Sequence, residues 1–572
     1  MTDVNQLITE HLEIWTSAIE KKSGAGRGNS GGLELYGIKK LRELILDLAI
    51  RGKLVPQDEN DIPAGSLLSQ LSKQQSAMYA QGQIKKPKPV AEISDAEKPF
   101  DLPPGWVWCR ISQVGHDWGQ KIPDSEFTYI DVGSINKKLG LVSEPTIVEA
   151  SKAPSRARKL VQQGTVIYST VRPYLLNIAV VTENFEPEPI ASTAFAIVHP
   201  FEGVSGSYLY RYLRSPTFVS YVEGCQTGIA YPAINDKQFF SGLVPLPPAA
   251  EQHRIVAKVD ELMALCDALE RQTEGSLKAH KTLVETCLAT LTSSQSPEEL
   301  TQNWSRIEAH FDTLFTTEES VEALRRCVWS LAVSGVLVSS VVDSSTVGSN
   351  SRNDAGPEIV IRKTRKLLPP LSEADTPYGI PDGWVWRRVC ELFQVSSGTS
   401  FPAKEELDEG EYAYIKVADM NLPENQTEIE TSSRFIDPDV KQKKKLIPSN
   451  SIVFPKRGGA IATNKKRLVR REIFADLNIM ALTVPPEMSV DYVMIWLKGI
   501  DLAQLNTGTS VPQINHQDID PLPFPLPPRS EQDEIVAKVR SLEDLCDLLK
   551  RKLSLQNQLS IDLASAFTSK IH

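Results

Sequence analysis

The chain has 572 residues, of which 41% are hydrophobic and 23% charged, and its net charge is −10, a composition typical of a globular protein with more than one domain. There is no run of about eighteen apolar residues, and the start MTDVNQ is unlike a secretory signal, so we predict a cytoplasmic protein with no membrane segment. The seven cysteines form no CxxC pair, which argues against a disulfide framework and against a zinc site.

The first hundred residues are predicted to be mainly helical. An amphipathic helix is expected over about 4–22, before the Gly/Ser-rich break at 23–32. The segment 56–100 is polar and contains prolines, which favours loops around short helices. Between them a second helix is predicted from about Tyr36 to Gly52. Its apolar face would carry Ile38, Leu41, Ile45, Leu48 and Ala49.

Residues 102–245 change to short β-branched runs such as TVIYSTV and NIAVVT, which predict a β-rich α/β domain with one helix near Ser207–Tyr221. The tryptophans of GWVW alternate as in a strand, and we expect them to pack in the core. The loop TGIAYPAIN, just before the last strand, contains Gly and Pro and indicates a fixed turn. This loop would either approach a DNA backbone or have a structural role.

After Pro247–Pro248 a long helix is predicted, with Glu251 in the first turn, where the helix dipole favours an anion. Apolar residues then recur at alternating spacings of four and three. This pattern predicts a coiled-coil-like helix of about 40 residues, or roughly 60 Å at 1.5 Å per residue. An ordinary amphipathic helix of a globular domain is the alternative. The predicted inner positions are Ile255, Val259, Leu262, Cys266, Leu269, Thr273, Ser276, His280, Leu283 and Cys287.

The second half of the chain repeats this order. Leu246–Arg271 returns at Leu526–Arg551, 280 positions later. A helical stretch at about 297–337 and a Ser/Asn/Gly linker at about 339–357 precede the second β-rich domain. Three further pairs follow the repeat: Leu102–Trp108 with Ile380–Trp386, Thr227–Asn235 with Thr507–Asn515, and Ile38–Val55 with Val321–Val338.

The second long helix is predicted over Glu531 to about Thr568, with a capping box formed by Ser530 and Asp533. Its predicted inner positions are Ile535, Val539, Leu542, Cys546, Leu549, Leu553, Gln556, Ser560, Leu563 and Phe567.

The repeat means that the chain contains two copies of one structural unit. The frame recurs, whereas Ile111–Gln226 and Glu391–Asn506 have diverged, a pattern typical of a protein that presents two different surfaces at a fixed separation. We therefore predict a multidomain α/β (α+β) fold with two β-rich domains joined by two long antiparallel helices. The predicted segments are a helical region (1–101), domain 1 (102–248), a long helix (249–293), a helical region with linker (294–379), domain 2 (380–528) and a second long helix (529–572).

The motifs of common enzymes are missing from the sequence. It has no GxxxxGK[ST] phosphate loop, no Asn/Asp-Pro-Pro-Tyr tetrapeptide, no HExxH and no GxSxG. The eight histidines are dispersed, and the acidic pairs lie in polar segments where solvation explains them. We predict no catalytic residue, no metal site and no cofactor in this chain; an enzyme hidden by sequence divergence is the alternative.

Basic residues are concentrated in one long segment. From Lys441 to Arg471 no acidic residue interrupts the chain, so a nucleic acid partner is compatible with the acidic average. Lys456 and Arg457 follow the strand-like SIVF, where lysines can contact phosphates and Arg457 can reach a guanine edge. In domain 1, Arg172 of STVRPY occupies about the same place. Solvated lysine-rich faces are the alternative.

The complete set of predicted DNA contacts lies in the two divergent domains. It consists of Lys121, Asn136, Lys137, Arg156, Arg158, Lys159, Arg172 and Tyr174 in domain 1, and Lys441, Lys443, Lys444, Lys445, Lys456, Arg457, Lys465, Lys466 and Arg467 in domain 2.

The ordered motifs carry a family resemblance. GKLVPQ, LPxGW (IPxGW in the second copy), a variable domain, GTxxPxIN (GIxxPxIN in the first copy) and LPPxxEQxxIVxK occur in this order, and the order is repeated. This set resembles the specificity subunit of type I restriction–modification systems, in the branch with an extended N-terminal region. One departure is GVLVSS in the second copy, where the first copy has GKLVPQ, so this segment need not act symmetrically.

The resemblance implies a non-catalytic subunit that acts on double-stranded DNA. Each variable domain would read one half of a split asymmetric target, and the long helices would set the gap between the halves. Two modification subunits would supply S-adenosylmethionine, and two motor-nuclease subunits would supply ATP and magnesium. A scaffold with two protein-binding modules is the alternative function.

Overall fold

The chain divides into two compact units, and the boundary between them falls inside both long helices. Unit 1 consists of Met1–Ser276 and Gln556–His572, and unit 2 of Leu277–Leu555. The computed structural model describes residues 10–21, 32–228, 232–294, 297–337, 368–369, 371–372, 375–439, 442–505 and 511–569. The predicted linker at 339–357 lies outside the described residues.

Unit 1 begins with short elements. Helix α1 (Leu12–Ser17) ends before the predicted limit at residue 22, because the chain continues into strand β1 (Glu20–Lys21), which pairs antiparallel with β2 (Leu33–Glu34). The predicted part of that helix before residue 10 lies outside the described residues. Helix α2 (Tyr36–Ile50) confirms the second prediction, and all five predicted face residues are buried. Helix α3 (Ala64–Ala80) is longer than the short helices expected in this segment.

Domain 1 is built on β-sheets, as its β-branched runs predict. The larger sheet has the order β4-β13-β10-β11-β7-β6, with β10 antiparallel to both of its neighbours, and the smaller has the order β8-β5-β12-β9. The strands are β3 (Val107–Arg110), β4 (Gly115–His116), β5 (Phe127–Ile130), β6 (Ile135–Asn136), β7 (Leu141–Val142), β8 (Thr146–Val148), β9 (Ala157–Leu160), β10 (Val166–Ser169), β11 (Ile178–Val180), β12 (Pro189–Ser192) and β13 (Phe195–Pro200).

The helical part of domain 1 differs from the single helix expected near 207–221. Two helices occupy the segment where one was expected. The second begins because Ser215 caps it through its side chain and Pro216 occupies its first turn, where the missing N–H has no cost. The final strand β14 pairs antiparallel with β3. The remaining elements of the domain are α4 (Ile111–Val114), α5 (Gly206–Leu213), α6 (Pro216–Cys225), α7 (Asp236–Ser241) and β14 (Leu243–Leu246).

Unit 2 repeats the plan with different sheets. A four-stranded antiparallel sheet has the order β16-β22-β19-β20, a second has β18-β17-β21, and β15 pairs with β23. The strands are β15 (Val385–Arg388), β16 (Gln394–Ser397), β17 (Tyr412–Ile415), β18 (Phe435–Ile436), β19 (Ser451–Pro455), β20 (Arg467–Val469), β21 (Phe474–Ala475), β22 (Ile479–Thr483) and β23 (Pro523–Leu526).

Unit 2 also contains helices, and the two long helices, which carry the repeated motif, have residues in both units. The mixed α+β class predicted from the sequence, with two β-rich domains and two long helices, is confirmed. The helices are α8 (Ala249–Thr292), α9 (Pro297–Glu308), α10 (Phe311–Leu314), α11 (Glu318–Val333), α12 (Val389–Leu392), α13 (Val490–Lys498), α14 (His516–Ile519) and α15 (Arg529–Ser569).

The predicted spacing of the long helices is correct only in their first halves. In α8 the inner positions are buried as far as Cys266, but Ser276 and Leu283 are exposed and Val284 is buried instead. The inner face therefore shifts by one residue at these two positions, to Leu277 and Val284, whereas the predicted His280 and Cys287 are half-buried. A straight α-helix repeats every 3.6 residues, so it drifts away from a strict heptad.

The second long helix shows the same shift at equivalent positions. Gln556 and Leu563 are exposed, whereas Ala564 is buried. The capping box predicted at its start is also wrong. The helix begins at Arg529, which puts Ser530 inside the first turn, and the Asp533 carboxylate accepts a hydrogen bond from Arg529 Nε at 3.1 Å.

The Glu-Gln pair of the repeated motif joins α8 to domain 1. The Glu251 carboxylate, only 1% exposed, accepts hydrogen bonds from Trp106 Nε1 at 2.9 Å and from Gln57 Nε2 at 2.6 Å. The side-chain oxygen of Gln252 accepts the backbone N–H of Ser205 at 2.7 Å. Burial raises the pKa of Glu251, although both hydrogen bonds oppose this shift. These contacts explain why the motif recurs.

The second copy makes the same contacts. Glu531 accepts from Trp384 Nε1 at 2.7 Å, and Gln532 accepts the backbone N–H of Ser489 at 2.8 Å. Trp384 is buried, as are both tryptophans of the first GWVW, whereas Trp386 is half-buried, so the predicted core role is confirmed for three of the four tryptophans. The repeated residues thus attach each β-rich domain to a long helix in the same way.

We expect Glu251→Ala to lower the free energy of unfolding of unit 1 by about 1–3 kcal/mol, because this is the cost of leaving the buried Trp106 N–H without an acceptor, whereas the exposed Gln57 amide can donate to water instead. Urea unfolding followed by tryptophan fluorescence measures this loss. Glu531→Ala is the matched variant, with a smaller expected loss because Glu531 is less buried than Glu251. Equal losses in the two variants would contradict the role assigned to the burial of Glu251.

Candidate nucleic acid interface

In both domains the basic turn and the repeated Gly/Pro loop form one hydrogen-bonded element. In domain 1 the Arg172 N–H donates to the Pro232 carbonyl at 2.8 Å, and the Ile234 N–H donates to the Thr170 carbonyl at 3.0 Å. The sequence suggested each feature separately, and the structure shows that they are adjacent. Residues 229–231 and 507–510 of the two loops lie outside the described residues.

Domain 2 has the same arrangement. The Gly458 N–H donates to the Pro512 carbonyl at 2.8 Å, and the Ile514 N–H donates to the Lys456 carbonyl at 2.9 Å. These bonds match Lys456 with Thr170, Arg457 with Val171 and Gly458 with Arg172. Arg172 was expected at about the place of Lys456 and Arg457. The hydrogen bonds put it one residue later, at the position of Gly458.

The backbone conformation supports this match. Gly458 has φ +77° and Arg172 has φ 48°, so both residues lie in the left-handed region. Glycine adopts this region without strain, whereas a residue with a side chain costs about 1–2 kcal/mol. Domain 1 therefore has an arginine with a strained backbone where domain 2 has a glycine. Strained backbone conformations are often found at functional sites.

We expect Arg172→Gly to raise the free energy of unfolding of unit 1 by about 1 kcal/mol while weakening DNA binding, because glycine removes both the strain and the guanidinium. Arg172→Ala is the matched control, since it removes the guanidinium but keeps the strain. Thermal unfolding and DNA binding would be measured on both variants. A glycine variant no more stable than the alanine variant would contradict the assignment of strain.

The turn of domain 2 belongs to a wider polar surface. Lys456 Nζ donates to Ser397 Oγ at 2.8 Å, and Ser397 Oγ lies 3.1 Å from His516 Nε2. Burial, followed by the charge of Arg457, lowers the pKa of Lys456. Arg457 is exposed, and its side chain has no hydrogen bond or ion pair with the described residues. This arrangement leaves the Arg457 guanidinium available to a partner.

The lysine-rich segment of domain 2 is mostly exposed. Lys445 Nζ donates to Thr399 Oγ1 at 3.2 Å, and Thr399 is two residues after Ser397 in the chain. Lys443 lies 3.3 Å from a Glu411 carboxylate oxygen, and Lys444 is exposed with no side-chain partner among the described residues. Lys441 lies outside the described residues, and Lys465 donates to the Asn421 side chain. We define the basic patch of domain 2 as Ser397, Thr399, Lys444, Lys445, Lys456, Arg457 and His516.

Three predicted contact residues are buried, and their placement corrects the prediction. Lys466 Nζ donates to Asn464 Oδ1 at 2.8 Å and to the Ile500 carbonyl at 2.7 Å, and burial lowers its pKa to about 7. The Arg467 guanidinium donates only to backbone carbonyls, among them that of Met420 at 3.0 Å. Both side chains are buried and form hydrogen bonds within domain 2.

The third buried cation is Lys159, which forms an ion pair with Asp236 at 2.5 Å. Asp236 occupies the position of His516 in the repeat, so both copies use the residue after the motif Ile-Asn to contact a neighbouring strand or turn. The sequence signal for His516 was its place directly after this repeated motif.

The other predicted residues of domain 1 divide into engaged and available side chains. Lys121 forms ion pairs with Glu188 at 2.7 Å and Asp124 at 3.1 Å. Asn136 Oδ1 accepts two backbone N–H groups of its own turn, and the Arg158 guanidinium donates to the Ala157 carbonyl at 2.8 Å. The available side chains, exposed and with no hydrogen bond or ion pair to described residues, are Lys137, Arg156 and Tyr174.

Among the described residues, no group of three His, Cys, Asp or Glu side chains is placed to hold a metal ion. None of the described helices is long and apolar enough to cross a membrane.

The duplicated frame and its two unlike exposed turns define a two-module recognition protein. Residues 381–557 match the family model described as the type I restriction modification DNA specificity domain. The chain is 34% identical over 588 aligned residues to the type I restriction enzyme EcoAI specificity subunit of Escherichia coli, covering 99% of both chains. It is 32% identical to the EcoEI specificity subunit of Escherichia coli, again covering 99% of both. The chain therefore belongs to the family of type I restriction–modification specificity subunits.

A solved structure supports the fold. It belongs to a study of complex assembly and conformational transition in the type I R-M system. The two structures align with a TM-score of 0.53 at 23% identity, and the alignment covers 82% of this chain and 98% of the other. The family resemblance read from the motifs is confirmed, and so is the non-catalytic role, since this family supplies DNA sequence specificity while separate subunits supply catalysis.

Proposed function

We propose that each β-rich domain reads one half of a split, asymmetric DNA target. The supporting observation is the turn–loop element, which has the same backbone hydrogen bonds in both domains but different exposed side chains. Phosphate contacts position a protein on DNA, whereas contacts to base edges specify the sequence. Lys444 and Lys445 are suited to phosphate contacts, and Arg457 is suited to a base-edge contact.

The two long helices would set the gap between the half-sites. Helix α8 has 44 residues and α15 has 41, so each would be about 60–66 Å long at 1.5 Å per residue. Two half-sites one turn of DNA apart are separated by about 34 Å, which such helices can span with room for the width of each domain. In this proposal the helices pack antiparallel.

The partners proposed for the chain are DNA, two modification subunits and two motor-nuclease subunits. The related chains are named as subunits of type I restriction enzymes, which supports this assembly. In this proposal S-adenosylmethionine, ATP and magnesium bind to the partner subunits, and the complex acts in the cytoplasm, where it defends against foreign DNA.

The test is to map methylated adenines in DNA from cells that express this chain with a modification subunit. The expected result is one bipartite motif whose two halves differ in sequence and are separated by a fixed number of unspecified bases. A single continuous motif, or methylation without sequence preference, would contradict the proposal.

A binding experiment separates DNA recognition from a protein scaffold. Affinity for the mapped duplex should fall steeply with added salt, because neutralised phosphates release counterions. A duplex with both half-sites scrambled is the control for non-specific binding. Equal affinity for both duplexes would contradict sequence recognition by this chain.

A further inference from the structure

The turn of domain 1 exposes apolar side chains, whereas the turn of domain 2 exposes the cation Arg457. Val171, Tyr174 and Leu175 are 39%, 49% and 39% exposed, and they flank the strained Arg172 within five residues. In domain 2 the residue matched to Val171 is Arg457, and the one large apolar residue of that turn, Ile461, is buried. The two copies therefore present opposite chemistry from the same backbone position.

The apolar turn is held firmly by hydrogen bonds. Arg172 and Thr170 bond to the repeated loop, and Ser169 Oγ donates to the Val171 carbonyl at 3.0 Å. The Leu175 N–H donates to the Arg172 carbonyl at 3.0 Å, which closes the short 3-10 turn Pro173–Leu175. A surface held in this way loses little conformational entropy when it binds, so it suits a contact that must discriminate between similar ligands.

We propose that Val171, Tyr174 and Leu175 form an apolar reading surface that recognises thymine methyl groups in the half-site of domain 1. The inference rests on the proposed function and deepens it by naming the chemistry read by each domain. The thymine C5-methyl is the apolar group that a base edge presents in the major groove, and apolar side chains are its usual partners. Arg172, between these side chains, supplies the adjacent positive charge for phosphate or guanine.

The consequence is a chemical difference between the two half-sites. The half-site of domain 1 contains a thymine whose methyl group contributes to affinity. The half-site of domain 2 contains a guanine that faces Arg457. An exposed apolar cluster in a soluble protein usually marks a contact surface, and here the equivalence with the basic turn of domain 2 indicates that the contact is DNA.

The test replaces each thymine of the mapped target by deoxyuridine, which removes only the methyl group. The half-site of domain 1 is identified as the one whose base preference survives Arg457→Ala. Binding is measured with the full chain in complex with its modification subunits. One deoxyuridine in the half-site of domain 1 should weaken binding by about fourfold, the value expected for one buried methyl-sized group.

The triple variant Val171→Ser/Tyr174→Ala/Leu175→Ser should bind the thymine and deoxyuridine duplexes equally well. Its unchanged preference in the half-site of domain 2 shows that it is folded. Ile147→Ala is the matched control, since Ile147 is 60% exposed on β8 in the other sheet of domain 1, and this variant should keep the fourfold effect.

Two results would overturn the inference while leaving bipartite recognition intact. One is sequence-specific binding in which no deoxyuridine in the half-site of domain 1 has an effect. The other is a deoxyuridine effect that persists in the triple variant. Failure of the proposed function is distinguishable, because then no bipartite target would be found with the wild-type chain.

Discussion

Arg457→Ala is expected to relax the base preference at one position in one half-site and to weaken binding to the correct base by about 1–3 kcal/mol, the value of a bidentate arginine–guanine contact. Its side chain is exposed and makes no hydrogen bond or ion pair with the described residues, so no internal contact is lost with it. Methylation mapping of the variant measures the relaxed preference, and duplex binding measures the energy.

Two matched variants separate base reading from charge. Arg457→Lys keeps the positive charge but loses the planar fork of donors, so it should relax the same position almost as much. Lys444→Ala removes another exposed cation without a side-chain partner, and it should weaken binding to all duplexes alike and lower the salt dependence by about one counterion. Equal losses on both half-sites, or no loss, in Arg457→Ala would argue against its role in base reading.

A seven-residue insertion in both long helices is expected to change the gap of the target and leave both half-site sequences unchanged. The insertion sites are after Glu274 and after Ser554, in exposed stretches next to the boundary between the two units. Seven residues lengthen a helix by about 10 Å, equivalent to about three base pairs, and change its rotational phase by only about 20°. Methylation mapping reads the new gap directly.

The control is a three-residue insertion at the same two positions. It lengthens each helix less but changes its phase by about 60°, so we expect the specific methylation to be lost. A gap unchanged by the seven-residue insertion would contradict the proposal that the helices set the spacing, and an altered half-site sequence would do so as well.

The frame of the molecule was predictable because its residues act locally or recur. The helix at Tyr36–Ile50, the tryptophan strands and the long helices follow from periodicity and repetition. The shift after Thr273 was missed because a strict heptad was extended through a polar stretch and placed Ser276 inside, although the apolar Leu277 marks the true inner position.

The candidate interface was only partly predictable. A run of cations does not reveal which side chains a strand turns inward, so Lys466 and Arg467, at the start of β20, looked the same as their exposed neighbours. The bond between Arg172 and Pro232 joins positions 60 residues apart and has no local signal. The role proposed for Val171 and Leu175 depends on that bond, because it matches the turn of domain 1 with the turn of domain 2.

The contacts that residues 15–19 make with the second long helix have a consequence for synthesis on the ribosome. Ile19 N–H donates to Asn557 Oδ1 at 3.0 Å, Asn557 Nδ2 donates to the Ile19 carbonyl at 2.8 Å, and the rings of Trp15 and Phe567 lie 5.8 Å apart. Translation at about 5–20 residues per second makes Asn557 roughly half a minute to two minutes after Trp15. Unit 1, whose synthesis starts first, is therefore completed last. Trp15, which is fully buried in the folded protein, cannot contact Phe567 until the rest of the chain has been made.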